Sequence, residues 1–273
     1  MNTIIATTDF TRESRTAVNY AAKLAMLNKA DLILLHATYI PVVSDAFIDI
    51  NVTLDEIASN DKKKMDELVK HVQSKQGPAL KIRGINEVGL TKEVIREHIA
   101  KNEETLLVMG MKHIDKFSKI VFGSTATDLA GRVPCPVLVI PPDARYRPWK
   151  KIAFAFDKNE ILINNGIRFV KEMLNKYESK MHYIHVGNQN DVVEKSISST
   201  AALIGGENQT HFISDDGNTV EVLHDWVRRF KSNVIVMVAR QHNLLWRVFN
   251  ESHTKNMAFE SSIPVLILSE NKS

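Results

Sequence analysis

The chain repeats itself, and that constrains its fold more than any single motif. Moving the second part of the first half forward by 128 positions lays Gly89, Val94, Val108, Met109, Ser124, Ala130, Pro136, Val137 and Leu138 on Gly217, Val222, Val236, Met237, Ser252, Ala258, Pro264, Val265 and Leu266 without a gap. Nearer the N-terminus the offset grows to about 149, so that Asp9 meets Asp157 and His36 meets His185; the second copy is therefore shorter by about 20 residues between its second and fourth strands. Self-similarity over this length means two copies of one folding unit, and 273 residues suit two domains of about 150 residues each. The reading is a first domain at 1–142 and a second at 149–273, joined by the proline- and charge-rich stretch Pro141–Pro148, an ordered linker.

Within the first copy, β-forming runs alternate with helical periodicity. Residues 3–8 form a strand ending at Asp9, and Thr11 caps a helix whose inward face is Ala17, Tyr20, Ala21, Leu24 and Leu27. Residues 32–37 are a continuous apolar run, suited to an interior parallel strand covered on both faces. An irregular connection at 38–53 follows, then a helix using Leu54, Ile57, Met65, Leu68, Val69 and Val72 that stops at Gly77-Pro78. Residues 80–85 read as an edge strand, Thr91 caps a helix with Val94, Ile95, His98 and Ile99 inward, and 106–109 and 137–140 complete five strands. His98 on that apolar face reads as a packed core-edge histidine.

The second copy gives strands at 151–156, 181–186, 210–213, 234–238 and 265–268. Its helices are one through Ile163, Ile167, Val170 and Leu174, one opened by a capping box Asn218…Glu221, and a short one near 254–260, with a weaker region up to Gly206. Such alternation calls for an α/β fold of two doubly wound, five-stranded parallel sheets with right-handed crossovers. Ligands of such sheets sit beyond the carboxyl ends of the strands, where the strand order reverses.

Composition excludes several classes. The chain is 44% hydrophobic and 25% charged with a net charge of only +3, and its bases are dispersed among acids, so it carries neither a nucleic-acid stripe nor a polybasic membrane anchor. No apolar run approaches the roughly 18 residues of a membrane span, and the N-terminus lacks a signal-peptide pattern. With Cys135 the one cysteine, there is neither a disulfide framework nor a cysteine metal cluster, and a cytoplasmic location is expected. Cys135, between two prolines, reads as structural. The ten histidines show no HExxH spacing; His182, His185 and His211 could approach one another across neighbouring strands, but His182 and His185 point to opposite faces, and no metal is expected. P-loop, dinucleotide-binding and nucleophile-elbow motifs are missing.

One stretch reads as a phosphate site. The run 106–109 ends at Gly110, a polar loop follows, and Gly123-Ser124-Thr125 opens a helix. A helix N-terminus offers unsatisfied N–H groups and the positive end of its dipole, so Ser124 and Thr125 could hold a phosphate approached closely at Gly123. The plainer alternative is that Ser124 is an N-cap and Gly110 and Gly123 are turn glycines.

Gly110, His113 and Gly123-Ser124 together resemble the G-x-x-G-x9-G-S/T phosphate loop of the universal stress proteins, with His113 where the family has its second glycine. The strand-end Asp9, the second strand ADLILLHA, Gly89 before a helix and the final strand PCPVLVI fall where that family has theirs. The resemblance implies an adenine nucleotide alpha hydrolase-like fold, packed as an internal pseudo-dimer through antiparallel final strands. It implies a stress-response regulatory or binding protein, and no enzyme, that takes ATP or another adenine nucleotide in the first domain, with Mg²⁺ only alongside it. The implied nucleotide-binding residues are Thr7, Thr8, Asp9, Ala37, Met109, Gly110, Lys112, His113, Gly123, Ser124 and Thr125; none is catalytic. In the second copy Val238, Gln241 and Glu251 replace Gly110, His113 and Gly123, and a carboxylate there repels phosphate. Two alternatives stand beside this reading: a stress protein working through protein contacts or another small ligand, and a slow ATPase. A homodimer, if formed, is expected through helices or the 243–249 loop, whose Trp246–Phe249 patch reads as protein-facing.

Overall fold

The computed structural model describes residues 1–39, 50–102, 104–113, 120–155, 165–187, 189–213, 219–239 and 263–269. In chain order the first half contains β1 (Thr3–Thr7), α1 (Arg12–Asn28), β2 (Asp31–Thr38), α2 (Ile50–Gln76), β3 (Ile82–Val88), α3 (Thr91–Ala100), β4 (Thr105–Gly110), the short β5 (Lys112–His113) and β6 (Ile120–Val121), α4 (Ser124–Leu129) and β7 (Val137–Ile140). The second half contains β8 (Lys151–Ala155), α5 (Asn165–Tyr177), β9 (Lys180–Val186), α6 (Asp191–Ile204), β10 (Asn208–Ile213), α7 (Thr219–Arg229), β11 (Val234–Ala239) and β12 (Val265–Ser269).

The main strands form one ten-stranded sheet in the order β10-β9-β8-β11-β12-β7-β4-β1-β2-β3. Within this sheet every pairing inside a half is parallel, while β5 and β6 form a separate antiparallel pair. The halves meet at β7 and β12, which pair antiparallel with Leu138 opposite Leu266. The apolar runs are explained by period-two alternation with both faces covered. Ile4, Leu34, Val108 and Leu138 face the layer of α1, α2, α5 and α6. Ile5, Ile33, Leu107 and Val139 face the layer of α3, α4 and α7. At about 1.5–3 kcal/mol for each fully buried Leu, Ile or Val, these two layers are the main drive for folding.

Thr11 caps α1 as expected, accepting from the Ser14 amide at 3.3 Å. Several details differ from the sequence reading. Thr91 is the first residue of α3, whose N-cap is Leu90 without a side-chain bond. Leu27 and Ile57 stand out toward solvent, 39% and 40% exposed, because each lies at the margin of its helix stripe. The connection expected at 38–53 is shorter, since α2 begins at Ile50. The weak region before Gly206 is α6, capped by Asn190 Oδ1 accepting from the Val193 amide at 3.0 Å. Ile163, the Asn218 cap, the helix near 254–260 and the 243–249 loop lie outside the described residues.

The joining stretch packs between the halves. Trp149, fully buried, donates its indole N–H to the Tyr20 hydroxyl at 2.9 Å and meets Phe169 edge-on. Tyr146 packs on Tyr20 and shares a 2.7 Å hydrogen bond with the Tyr177 hydroxyl. Lys176 of α5 bonds Asn28 Oδ1 at 2.8 Å and the Leu27 carbonyl, covering carbonyls left open at the end of α1. Gly131 fits the same seam: its φ is +73°, and a Cβ there would stand 2.2 Å from that of Ala239 on β11. Truncating Trp149→Ala should cost about 3–5 kcal/mol in urea denaturation, and Tyr20→Phe, which strands the indole N–H, about 1–3 kcal/mol.

In the second half, His182 Nδ1 and His211 Nε2 lie 3.1 Å apart, boxed by Trp226 and Phe230, which stack at 4.0 Å. Burial, first, holds both rings below the ordinary histidine value of 6.5; the neighbouring His211, Lys151 and Lys180 add to this for His182, and Glu207 opposes it. The unfolded chain therefore takes up protons first as pH falls, so this contribution is complete above 6.5 and is lost as pH drops through the lower folded values. As pH falls below 6.5 the urea midpoint should fall, and His211→Gln should lessen that fall.

Candidate functional site

The strand order reverses between β1 and β4: the chain proceeds outward from β1 through β2 to β3, and from β4 to β7 on the other side. Such a crevice, at the carboxyl ends of the strands, is where open α/β sheets bind ligands. A cleft of about 240 Å³ occupies it, lined by Thr7, Thr8 and Asp9 after β1, Met109 to Lys112 at the end of β4, and Gly123 to Ala126 at the start of α4. Nine of the eleven sequence-predicted residues line it. Ala37 does not; it is a half-buried residue of β2 paired in register with Glu87. His113 pairs with Ile120 in the β5–β6 ladder, and its side chain lies outside the described atoms.

The structure adds Thr11, Glu13, Ser14, Thr91, Met111 and Ala126. Their positions follow from helix starts brought to the crevice: α1 and α3 both begin there. The turn Asp9-Phe10-Thr11 was the available sequence signal for the first three; Thr91, read as a cap, turns instead to the cleft wall.

Asp9 is held in two ways. Its Oδ1 accepts from the Thr11 amide at 3.2 Å and from the Thr11 hydroxyl, while Oδ2 lies 3.4 Å from Lys112 Nζ across the cleft. Burial alone would raise this carboxyl. The side-chain hydrogen bonds of Thr11 and Ser14, the Thr11 amide and the Lys112 charge together outweigh it, and Asp9 sits below the ordinary carboxylate range. Thr8 is committed to the turn: its hydroxyl lies 3.1 Å from that of Ser14 and accepts from the Phe10 amide. Ser124 is not an N-cap. Gly123 takes that position, α4 has six residues, and its Thr127 amide bonds back to the Gly123 carbonyl.

The two glycines differ in kind. A Cβ on Gly110 would press the backbone of α1, 3.1 Å from the Glu13 carbonyl oxygen and 3.4 Å from Ser14 Cα. At Gly123 its nearest neighbour among the described residues would be Lys112 Cε at 3.9 Å, and φ is an ordinary −64°. Gly110 is therefore bare for packing, whereas Gly123, on the cleft lining, meets no close neighbour among the described residues.

A larger cavity, about 420 Å³, lies at the amino end of β4, between Glu104, Cys135 and Phe169. It is at the wrong end of the sheet for the switch-point chemistry, and its Cys135 thiol is pushed up by burial to about 12, which makes it an inert thiol. Among the described residues no group of three or more His, Cys, Asp or Glu could hold a metal ion. His98 is the packed histidine expected, 2.6 Å from Glu87. In the second copy Val238 ends up in β11, while Asp157, Gln241 and Glu251 lie outside the described residues.

Residues 1–141 match the sequence profile of the universal stress protein family. The chain belongs to that family. A solved universal stress protein from Archaeoglobus fulgidus DSM 4304 is similar over the full length, with 18% identity, a TM-score of 0.75 and 99% of each chain covered. A protein of unknown function from Pseudomonas aeruginosa PAO1 matches with 14% identity and a TM-score of 0.57, over 99% of this chain and 93% of its own. No curated protein sequence matches. At these identities the structural likeness speaks for the fold of both halves. Among the described residues of this universal stress protein, no helix is long and apolar enough to cross a membrane.

The glycine geometry can be checked without a ligand. Gly110→Ala should lower stability by about 1–3 kcal/mol through overpacking, and Gly123→Ala should leave it within about 0.5 kcal/mol, both read from urea unfolding.

Proposed function

We propose that this universal stress protein binds one adenine nucleotide, ATP in the first instance, in the cleft of its first half, and that it works as a stress-response regulatory or binding protein. The observation that carries the reading is Gly123: a position bare with no packing reason among the described residues, on a cleft also lined by Lys112 and Asp9. Lys112 and the amides and hydroxyls of Ser124 and Thr125 would meet the phosphates, releasing Lys112 from its pair with Asp9, which then accepts from ribose or adenine. At about 240 Å³ the cleft is below the roughly 300–1,000 Å³ that enclose a drug-sized ligand, so it would take the phosphate end, with the base toward β2 and Ala37. Mg²⁺ would come only with the phosphates.

The proposal includes no catalysis. It places the protein in the cytoplasm, where one buried cysteine suits reducing conditions. It also treats the two domains, 1–142 and 149–273, as an internal pseudo-dimer with one competent site. Any homodimer would form through helix faces or the 243–249 loop. A second reading, action through protein contacts or another small ligand, draws on the Lys112–Asp9 pair, which already satisfies both charges without a nucleotide.

Calorimetric titration of ATP with Mg²⁺ into wild type, Gly123→Glu and Asp157→Ala separates these. One site per chain is expected, abolished by Gly123→Glu and unchanged by Asp157→Ala, with no phosphate released on incubation. Two equal sites, or binding that survives Gly123→Glu, would overturn the proposal; phosphate release would favour an ATPase.

A further inference from the structure

We propose that His36 and Asp61 are positioning residues, which hold from behind the turn that carries Asp9. Neither residue lines the cleft. His36 meets the Thr8 carbonyl and the Phe10 ring on the other side of that turn, and Asp61 meets His36.

The turn needs holding. Phe10 has a φ of +61°, a left-handed conformation that is costly for an aromatic residue and persists only where the surroundings impose it. Three of its restraints are local or come from the sheet: the Thr8 amide donates to the Leu35 carbonyl at 2.9 Å, the Phe10 amide to Thr8 Oγ1 at 3.0 Å, and the Thr11 amide to Asp9 Oδ1 at 3.2 Å. Two more come from His36 at the end of β2. Its Nδ1 lies 2.7 Å from the Thr8 carbonyl, and its ring packs on that of Phe10 with centroids 4.4 Å apart. A carbonyl only accepts, so Nδ1 carries a proton; a carboxylate also only accepts, so the contact of Nε2 with Asp61 is a hydrogen bond when that nitrogen is protonated as well.

The imidazole is itself aimed. Its Nε2 lies 3.2 Å from Asp61 Oδ2, the same oxygen accepts from the Thr38 hydroxyl at 2.9 Å, and Oδ1 accepts from Lys64 at 3.2 Å. Asp61 is only 8% exposed, on α2, and Lys64 also stands 5.5 Å over the Phe10 ring. A buried carboxylate with three partners is a rigid support for the ring it meets. Burial would raise the Asp61 carboxyl, but the bonds from Thr38 and Lys64 and the neighbouring His36 bring it below the ordinary range. The path therefore runs from α2 through Asp61 and His36 to Thr8, and the next residue is Asp9.

Asparagine and glutamine separate the two ring nitrogens: the amide of Asn falls near the place of Nδ1, and that of Gln near the place of Nε2. His36→Asn should keep the bond to Thr8 and hold ATP affinity within about threefold of wild type. His36→Gln, which keeps only the reach to Asp61, should weaken ATP about tenfold or more and speed hydrogen exchange at the Phe10 and Thr11 amides. Asp61→Asn, which keeps the size and loses the charge, should give the same signs with a smaller loss. Wild-type affinity and unchanged Phe10 and Thr11 exchange in both His36→Gln and Asp61→Asn would overturn the proposal, as would equal losses in the Asn and Gln variants of His36. The ATP arm rests on the nucleotide reading, but the exchange arm does not. If wild type takes up no ATP, that reading fails, and the Phe10 and Thr11 amides still decide whether His36 and Asp61 hold the turn.

Discussion

An apolar strand cannot end a sheet in water without leaving a row of unpaired backbone groups and a sticky edge. Here each half ends in such a strand, Val137–Ile140 and Val265–Ser269, and the two close each other's edge antiparallel, with Leu138 and Leu266 fully buried. Much else depends on that pairing. It brings α1 and α5 onto one face, where Tyr20, Trp149 and Phe169 pack without exposed apolar surface, and it sets Gly131 against Ala239. It also turns the carboxyl ends of the second set of parallel strands to the opposite end of the sheet.

The cleft is a compromise between stability and readiness. Its Lys112 and Asp9 stand 3.4 Å apart and offset each other's charge. As both groups are more than a third exposed, that pair adds little to folding and is easily exchanged for a ligand. Rigidity comes instead from the layer beneath, where Thr8, Ser14 and His36 spend their polar groups on the turn. Strain at Phe10 is set against contacts with β2 and α2, so the shape of the cleft depends on a helix that does not line it among the described residues.

Much of this was legible in the chain. The repeat, the five strands of each half and the parallel sheet follow from period-two and period-3.6 patterns, which local backbone geometry imposes on any chain that must bury apolar surface. Residues adjacent to strand ends, such as Asp9, Gly110 and Lys112, were predictable because topology alone puts them at the switch point. The margins failed where a pattern is weakest: Leu27 and Ile57 at stripe edges, Thr91 at a helix start, and α6 in a region of mixed small and apolar residues.

The sequence by itself determined which residues are apolar, in what order the strands come, and that the second copy carries Glu251 where the first has Gly123. It could not say why a glycine is a glycine. Gly110 and Gly123 look alike in the chain, and only the packed structure shows one pressed on the α1 backbone and the other with no neighbour closer than 3.9 Å among the described residues. Nor could it join His36, Asp61 and Phe10, or make a linker of Tyr146 and Trp149 into the core of a seam. Pattern is written by neighbours along the chain, whereas these contacts belong to residues far apart in it, and only close packing in three dimensions decides them.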